Sequence, residues 1–544
     1  MDGNANTGAP QGNRPRSGGL EGLRGLAAPG APVQGWTLLS PLTVWADAVV
    51  LGLVIPGPAV VTAVILAVAG VPAVWPLLIL LGAAVVIAAA VGADVLRYRR
   101  TRYRVTDARF EAVSGVIARS HKSLPRERIR SVDVAVPLWA RPFGLCRVEV
   151  GTGESTGAGG TLALSLIPAA EGERLRRVLL ERGAAAESDA DGTAELATMA
   201  PRWFGYGALA WTPAAIGYGG LAALLGSFTE LLLRVALPWF LGYAESAPVT
   251  TIVLWAVGAV LSLVVVATVV ALVVQISSWW DFRLTRETDG TLRVQRGLLT
   301  RTSVSIEERR MRGVELEERL PLRWLGVASV AAVASGLDQA QDGQGGNKGG
   351  VVPKRALTPE MPRARARRAA ESAVRAEHGI AFDELKRHPR AALRRRAVRA
   401  LAAAVALAAV AGVASRALGA FTPLEVSAEV PALGAAAIGG AVLVFGVPYA
   451  VGCYRGLGHG IDGRFLLLRK GMAARSTVAL KRDSVIGWTV RRSPFQRWSG
   501  LATLGATVAA GSGIHRAPDV DLGEGTAFAD EAVPGLLTPF LEKG

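Results

Sequence analysis

The chain has 544 residues, 51% of them apolar, with a mean hydropathy of +0.34 and a formal charge of +16. That apolar load is too high for an ordinary soluble protein, and with Lys and Arg gathered beside apolar runs the positive charge fits membrane loops rather than nucleic acid. Two cysteines and five histidines without a clustered ligand set exclude a disulfide framework and leave no basis for assigning a metal ligand, a cofactor or a catalytic residue.

Residues 1–40 are rich in Gly, Pro, Asn and Arg and hold no apolar signal core, so they read as a disordered tail, and the first span serves as its own insertion signal. Six runs follow that are nearly free of charge: 48–69, 72–96, 206–226, 249–275, 397–415 and 431–453. Each approaches the ~20 residues that a helix needs to cross ~30 Å of hydrocarbon. They fall into three pairs, within 41–96, 201–278 and 397–453, and a polar module follows each pair, at 97–182, 279–377 and 454–544. A linker spans 183–200 and a basic one 378–396. A short amphipathic segment with a proline leads into each pair, at Pro41, Pro201 and Pro389. Trp45, Trp75, Trp203, Trp211, Trp239, Trp279 and Trp280 lie near the span ends, where amphipathic rings favour the headgroup level. Arg-rich segments flank the pairs while the turns inside them carry little positive charge, which puts both termini and all modules in the cytoplasm.

The modules are copies of one another. Gly115 and Gly144, Gly297 and Gly326, and Gly471 and Gly500 are each 29 residues apart. Arg119, Arg301 and Arg475 fall four residues after the first glycine, and Arg141, Arg323 and Arg497 three before the second. Such constancy marks an internal repeat. Short alternating segments such as RYRVTD, RFEAVSG and IRSVDVAV read as strands. AAEGERLRRVLLERG reads as a closing amphipathic helix, with weaker equivalents near PEMPRARARRAAESAV and DEAVPGLLTPFLEK.

Two motifs are set aside. Gly153-Glu-Ser155-Thr-Gly157 has the G-x-S-x-G spacing of serine hydrolases, but a strand follows it where a nucleophile elbow needs a helix. The glycine-rich run at 343–350 lacks the order of a phosphate-binding loop.

The first copy resembles the bacterial membrane-flanked PH domain, the module of the YdbT-like proteins. The matching pieces are YRVTD (Tyr103–Asp107), Gly115-Val-Ile, LPRERI (Leu124–Ile129) and Phe143-Gly-Leu145. The second copy follows the pattern and the third, with GHGIDGRFLLLRKG, departs most. The resemblance implies six transmembrane helices in three pairs, each pair followed by a PH-like curved β-sheet capped by a C-terminal helix.

The surface expected to meet a membrane or a partner combines Arg119, Lys122, Arg126, Trp139, Arg141 and Phe143 with Arg301, Arg323, Trp324, Arg475, Arg497 and Trp498. Basic and aromatic side chains in one segment suit an anionic bilayer surface. The reading is a non-enzymatic, membrane-proximal scaffold in a bacterial inner membrane, with the lipid bilayer, anionic lipid headgroups and an unidentified membrane or cytoplasmic protein as partners; a role in envelope homeostasis is what the family resemblance implies. The alternative is a transporter or lipid-handling protein whose spans form the path. Asp47 and Asp94 lie at span ends, not at the mid-depth where such proteins place ionisable groups.

Overall fold

The computed structural model describes residues 35–537 and 539, except 69, 107, 116–119, 130, 152–160, 181–193, 228–237, 239, 241, 244–247, 289, 335–351, 422–428 and 511–512. The N-terminal tail up to residue 34, the G-x-S-x-G run and the glycine-rich run at 343–350 thus lie outside the described residues.

Five helices among the described residues are long and apolar enough to cross a membrane: Leu42–Val64, Val74–Arg100, Val249–Trp279, Arg390–Ala417 and Ala432–Arg455. The first divides into Leu42–Val54 and Pro56–Val68. Pro56 has no N–H to donate into the preceding turn, which is why the break falls there. Leu254, Val413 and Leu433 are about 70% exposed, and apolar side chains turned outward along helices with internally satisfied backbones suit lipid. The run expected to span at 206–226 forms a short helical segment, Pro201–Leu209, and a 17-residue helix, Trp211–Ser227. This helix packs closely on Val249–Trp279: a Cβ on Gly217 would lie 2.5 Å from the Ala267 carbonyl oxygen. Small residues permit that approach in apolar surroundings.

Each module is built in the same order. The first holds β1 (Thr37–Leu38), β2 (Arg102–Val105), β3 (Arg109–Ser114), β4 (Ser120–Pro125), β5 (Ser131–Pro137), β6 (Leu145–Gly151), β7 (Thr161–Pro168) and a helix, Ala169–Leu180. The second holds β8 (Ala194–Thr198), β9 (Arg283–Arg286), β10 (Thr291–Arg296), β11 (Thr300–Glu307), β12 (Met311–Arg319), β13 (Val327–Ala334), β14 (Met361–Pro362) and the helix Arg363–Ala373. The third holds β15 (Gly458–Asp462), β16 (Phe465–Lys470), β17 (Ala474–Lys481), β18 (Val485–Arg491), β19 (Leu501–Val508), β20 (Ile514–Asp521) and the helix Leu522–Ala532. The sequence pattern puts that last helix near DEAVPGLLTPFLEK, and it ends three residues into that segment, at Ala532. Asp521 caps its start by accepting from the Glu524 N–H at 3.1 Å, and Pro534, just past its end, is poorly suited to a helix interior.

The repeat glycines explain their own spacing. Gly115, Gly297 and Gly471 have φ of 126°, 108° and 94°. A Cβ at Gly297 or Gly471 would come within 2.0 or 2.1 Å of the carbonyl oxygen three residues on. Only glycine fits such a turn without a shift of the backbone. The hairpin register around it is the same in all copies: Ala112 faces Lys122, Val294 faces Val304 and Leu468 faces Val478.

Two features depart from the expected single sheet per module. First, each module draws on chain that precedes its own spans. Residues 37–38, assigned to the tail, pair with β2; β8, assigned to a linker, pairs with β9; and Lys386, in the basic linker, bridges to His459. Second, each module's strands divide into two half-sheets at a short 3-10 turn, Arg126–Arg128, Glu308–Arg310 or Arg482–Ser484. The strand orders are β1-β2-β3-β4, then β7-β6-β5-β11-β10-β9-β8, then β14-β13-β12-β17-β16-β15, and finally β18-β19-β20. The second half of one module and the first half of the next therefore form one continuous sheet. Backbone groups that an isolated module would leave unpaired along β5 and β12 find partners in the following module.

Candidate functional site

The two joints between modules gather most of the repeated basic residues. At the first, β5 runs antiparallel to β11, with Val134 opposite Ser303 and Val136 opposite Arg301. At the second, β12 runs antiparallel to β17, with Leu316 opposite Thr477 and Glu318 opposite Arg475. The registers are equivalent: Arg301 and Arg475 stand four residues after their module glycine, and Val136 and Glu318 twenty-one after theirs.

The arginine before the second glycine reaches across each joint. Arg141 donates to the Leu298 carbonyl, and Arg323 to the Met472 carbonyl at 2.9 Å, the residue after the next module's turn glycine in both cases. Burial lowers the pKa of both guanidiniums, and the charge of Arg301 or Arg475 adds to it; Glu318 works against the shift at the second joint. Glu318 is buried, takes Arg475 Nη2 at 2.6 Å on one oxygen and faces Arg363 Nε at 3.0 Å with the other. The first joint has Val136 in that position and is held elsewhere. Buried Arg176 donates to Glu287 at 3.1 Å and to Ser305 at 3.3 Å. Lys354 Nζ lies 2.6 Å from Asp133 and 2.7 Å from Glu149. Burial opposes the charge on Lys354, but the two carboxylates outweigh it and its pKa is raised.

The other candidate residues separate into four groups. Arg119 lies outside the described residues. Lys122 sits on β4 opposite Ala112, and Arg126 donates to the Val178 carbonyl of its module's closing helix. Trp139 and Phe143 pack against Ala46 of the first span together with Ala140. Trp324 and Trp498, by contrast, are 76% and 82% exposed, and Arg497 beside Trp498 is exposed with no ion pair among the described residues. Phe495 stands edge-on to Trp498 at 5.6 Å between ring centroids. These side chains lie on the short helices that follow β12 and β18, so they are unspent apolar surface beside charge.

Missed by sequence reasoning is a buried polar cluster in the third module. His459 Nδ1 lies 3.2 Å from His388 Nε2, and His388 Nδ1 lies 3.1 Å from the Asp519 carbonyl. Asp519 takes Arg395 on one carboxylate oxygen and Arg396, at 3.0 Å, on the other. Isolated histidines in a basic linker and a strand carry no signal that the fold brings them together. Among the described residues no group of His, Cys, Asp and Glu is arranged to hold a metal ion.

Three half-sheet modules, each with a closing helix and each joined to apolar helices, define a repeated membrane-associated fold. The family model described as Bacterial PH domain matches residues 47–183, 228–384 and 400–532, most of the chain, and the protein belongs to that family. No curated protein and no solved structure matches it.

Proposed function

We propose that this membrane protein is a non-enzymatic scaffold, its three PH modules joined into one platform on the cytoplasmic side of a bacterial inner membrane. The continuity of the sheets carries the reading. Modules that share strands across both joints present their surfaces in a set order, which suits a platform better than three independent binders. A sixth span, built on Trp211–Ser227, pairs with Val249–Trp279 and keeps all modules on one side. Arg497, Trp498, Phe495 and Trp324 meet the headgroup layer or a protein held there. The ionisable side chains of the described spans lie toward their ends, as with Asp47, Asp94, Arg97 and Arg455, which favours a platform over a transport path.

The test is capture of the full-length protein from its native membranes, followed by native mass spectrometry. Retained protein or anionic-lipid partners that are lost on combining Arg497→Glu with Trp498→Ala support the scaffold. A partner-free protein that moves lipid between leaflets of reconstituted vesicles replaces it with the lipid-handling alternative.

A further inference from the structure

Among the described residues, the edges that close the two joints recur, open, in the third module and the first. Within the chain, the strand after the 3-10 turn of one module pairs with the strand before that turn in the next: β5 with β11, and β12 with β17. The third module's strand of the first kind, β18, has only β19 beside it among the described residues. The first module's strand of the second kind, β4, has only β3 beside it among the described residues. Burial shows what β18 lacks. Val134, Leu316 and Val490 each stand nineteen residues after their module glycine. The first two are 8% and 1% exposed, and Val490 is 40% exposed, with Ile486 on the same strand at 62%. The short helix that follows β18 repeats the pattern, since Arg141 and Arg323 reach across a joint and Arg497 has none to reach across among the described residues.

We infer that copies of this chain join head to tail, β18 of one pairing antiparallel with β4 of the next in the register that already joins the modules. That register sets Val490 opposite His121, Thr489 opposite Lys122 and Trp488 opposite Ser123. The contact is heterologous: each copy offers one edge of each kind, so assembly continues until it closes a ring or extends as a row. Spans attached to every module hold the growing row in the plane of the membrane.

The joint between copies is weaker than the internal ones, for a visible reason. Lys122 occupies the position of Val304 and Val478, and β18 ends in Arg491 followed by Arg492. A lysine on an edge strand discourages pairing, and here like charges approach one another. Association is therefore reversible and strengthens as salt screens the repulsion. An acidic partner on the same edge would show the opposite salt dependence. Self-association needs only the sheets and holds even if the platform recruits nothing else.

Full-length His121→Cys and Val490→Cys variants, purified separately and co-reconstituted in vesicles, test the register directly. Paired antiparallel residues bring Cα atoms within disulfide reach. A disulfide dimer is expected from the mixture and from neither variant alone, and at lower yield when Ser123→Cys replaces His121→Cys. An Ala135→Cys, Thr302→Cys chain, bridging the internal joint, reports that oxidation worked. Energy transfer between labelled copies should fall at least fivefold with Val490→Lys, rise with Lys122→Val and rise with salt. The proposal is overturned if the internal control forms while the mixture does not cross-link, if Val490→Cys cross-links with itself, or if Val490→Lys leaves energy transfer unchanged.

Discussion

At the residue scale the third module's histidines make the fold sensitive to acid. His388 donates through Nδ1 to the Asp519 carbonyl, which leaves its Nε2 to accept from His459 Nδ1. That arrangement needs the His388 ring neutral, and burial disfavours a proton on either ring. Burial pushes His459 down to about 4, with the neighbouring His388 adding to it, and burial likewise pushes His515 down to about 4. His388 is lowered too, again by burial first. Glu524 favours a proton on His459 and Lys386 opposes it. Each folded-state value lies below the ordinary 6.5, so on acidification the unfolded chain takes up protons first. Stability is complete above pH 6.5 and is lost progressively toward pH 4, by about 2 kcal/mol for each of His459 and His515 at pH 5. Thermal unfolding of the detergent-solubilised protein should show this loss between pH 7.5 and 5, and His459→Gln should flatten it. A curve of the same slope in that variant excludes the histidine pair as the cause. Glu318→Ala is costly for a different reason: it leaves Arg475 at a buried joint without its carboxylate, and Arg363 with Asp383 alone. Breaking such a pair costs about 3 kcal/mol or more, and the readout is faster proteolysis between the second and third modules.

At the element scale the glycine turns are the least replaceable pieces. Gly297→Ala and Gly471→Ala each place a methyl group about 2 Å from a carbonyl oxygen in a backbone conformation that L residues seldom adopt. A loss of at least ~1–3 kcal/mol per site is expected, with the module's midpoint in denaturant falling accordingly. Gly487→Ala, where a Cβ meets nothing within 4 Å, is the matched control. These turns are readable in a sequence because a steric requirement leaves one residue type. The closing helices were harder to read. Arg363–Ala373 buries Ala366, Ala369, Ala370 and Ala373, a helical stripe of residues too small to stand out as apolar periodicity. The strands before the spans, two to five residues long, are shorter than the alternation by which a strand is recognised. Their one trace is the proline that leads into each pair of spans: Pro41, Pro201 and Pro389 each follow the last paired residue, Leu38, Thr198 or Lys386, by three positions.

For the whole molecule, the expected topology places every module on one side of the membrane. Ser499→Cys, on the exposed turn after the third module's short helix, should react with a membrane-impermeant reagent only after lysis, and Gly70→Cys, between the first two spans, in intact cells. Labelling of Ser499→Cys from outside would reverse the orientation. Apolar runs, the 29-residue glycine spacing and the resemblance of YRVTD and LPRERI to a membrane-flanked module are legible along the chain because each depends on residues near in sequence. Span length answers to hydrocarbon thickness, and a turn answers to its own backbone. Which strand lies beside β5 or β12 does not. Those edges are satisfied by residues more than 140 positions away, so the joining of three modules into shared sheets was decided only in three dimensions. The same holds for the arginines. Their spacing marks them as repeated, but the choice between Arg141 reaching a neighbouring module's carbonyl and Arg497 standing exposed depends on whether another module's edge lies alongside. That is a property of the assembled sheet rather than of any one segment.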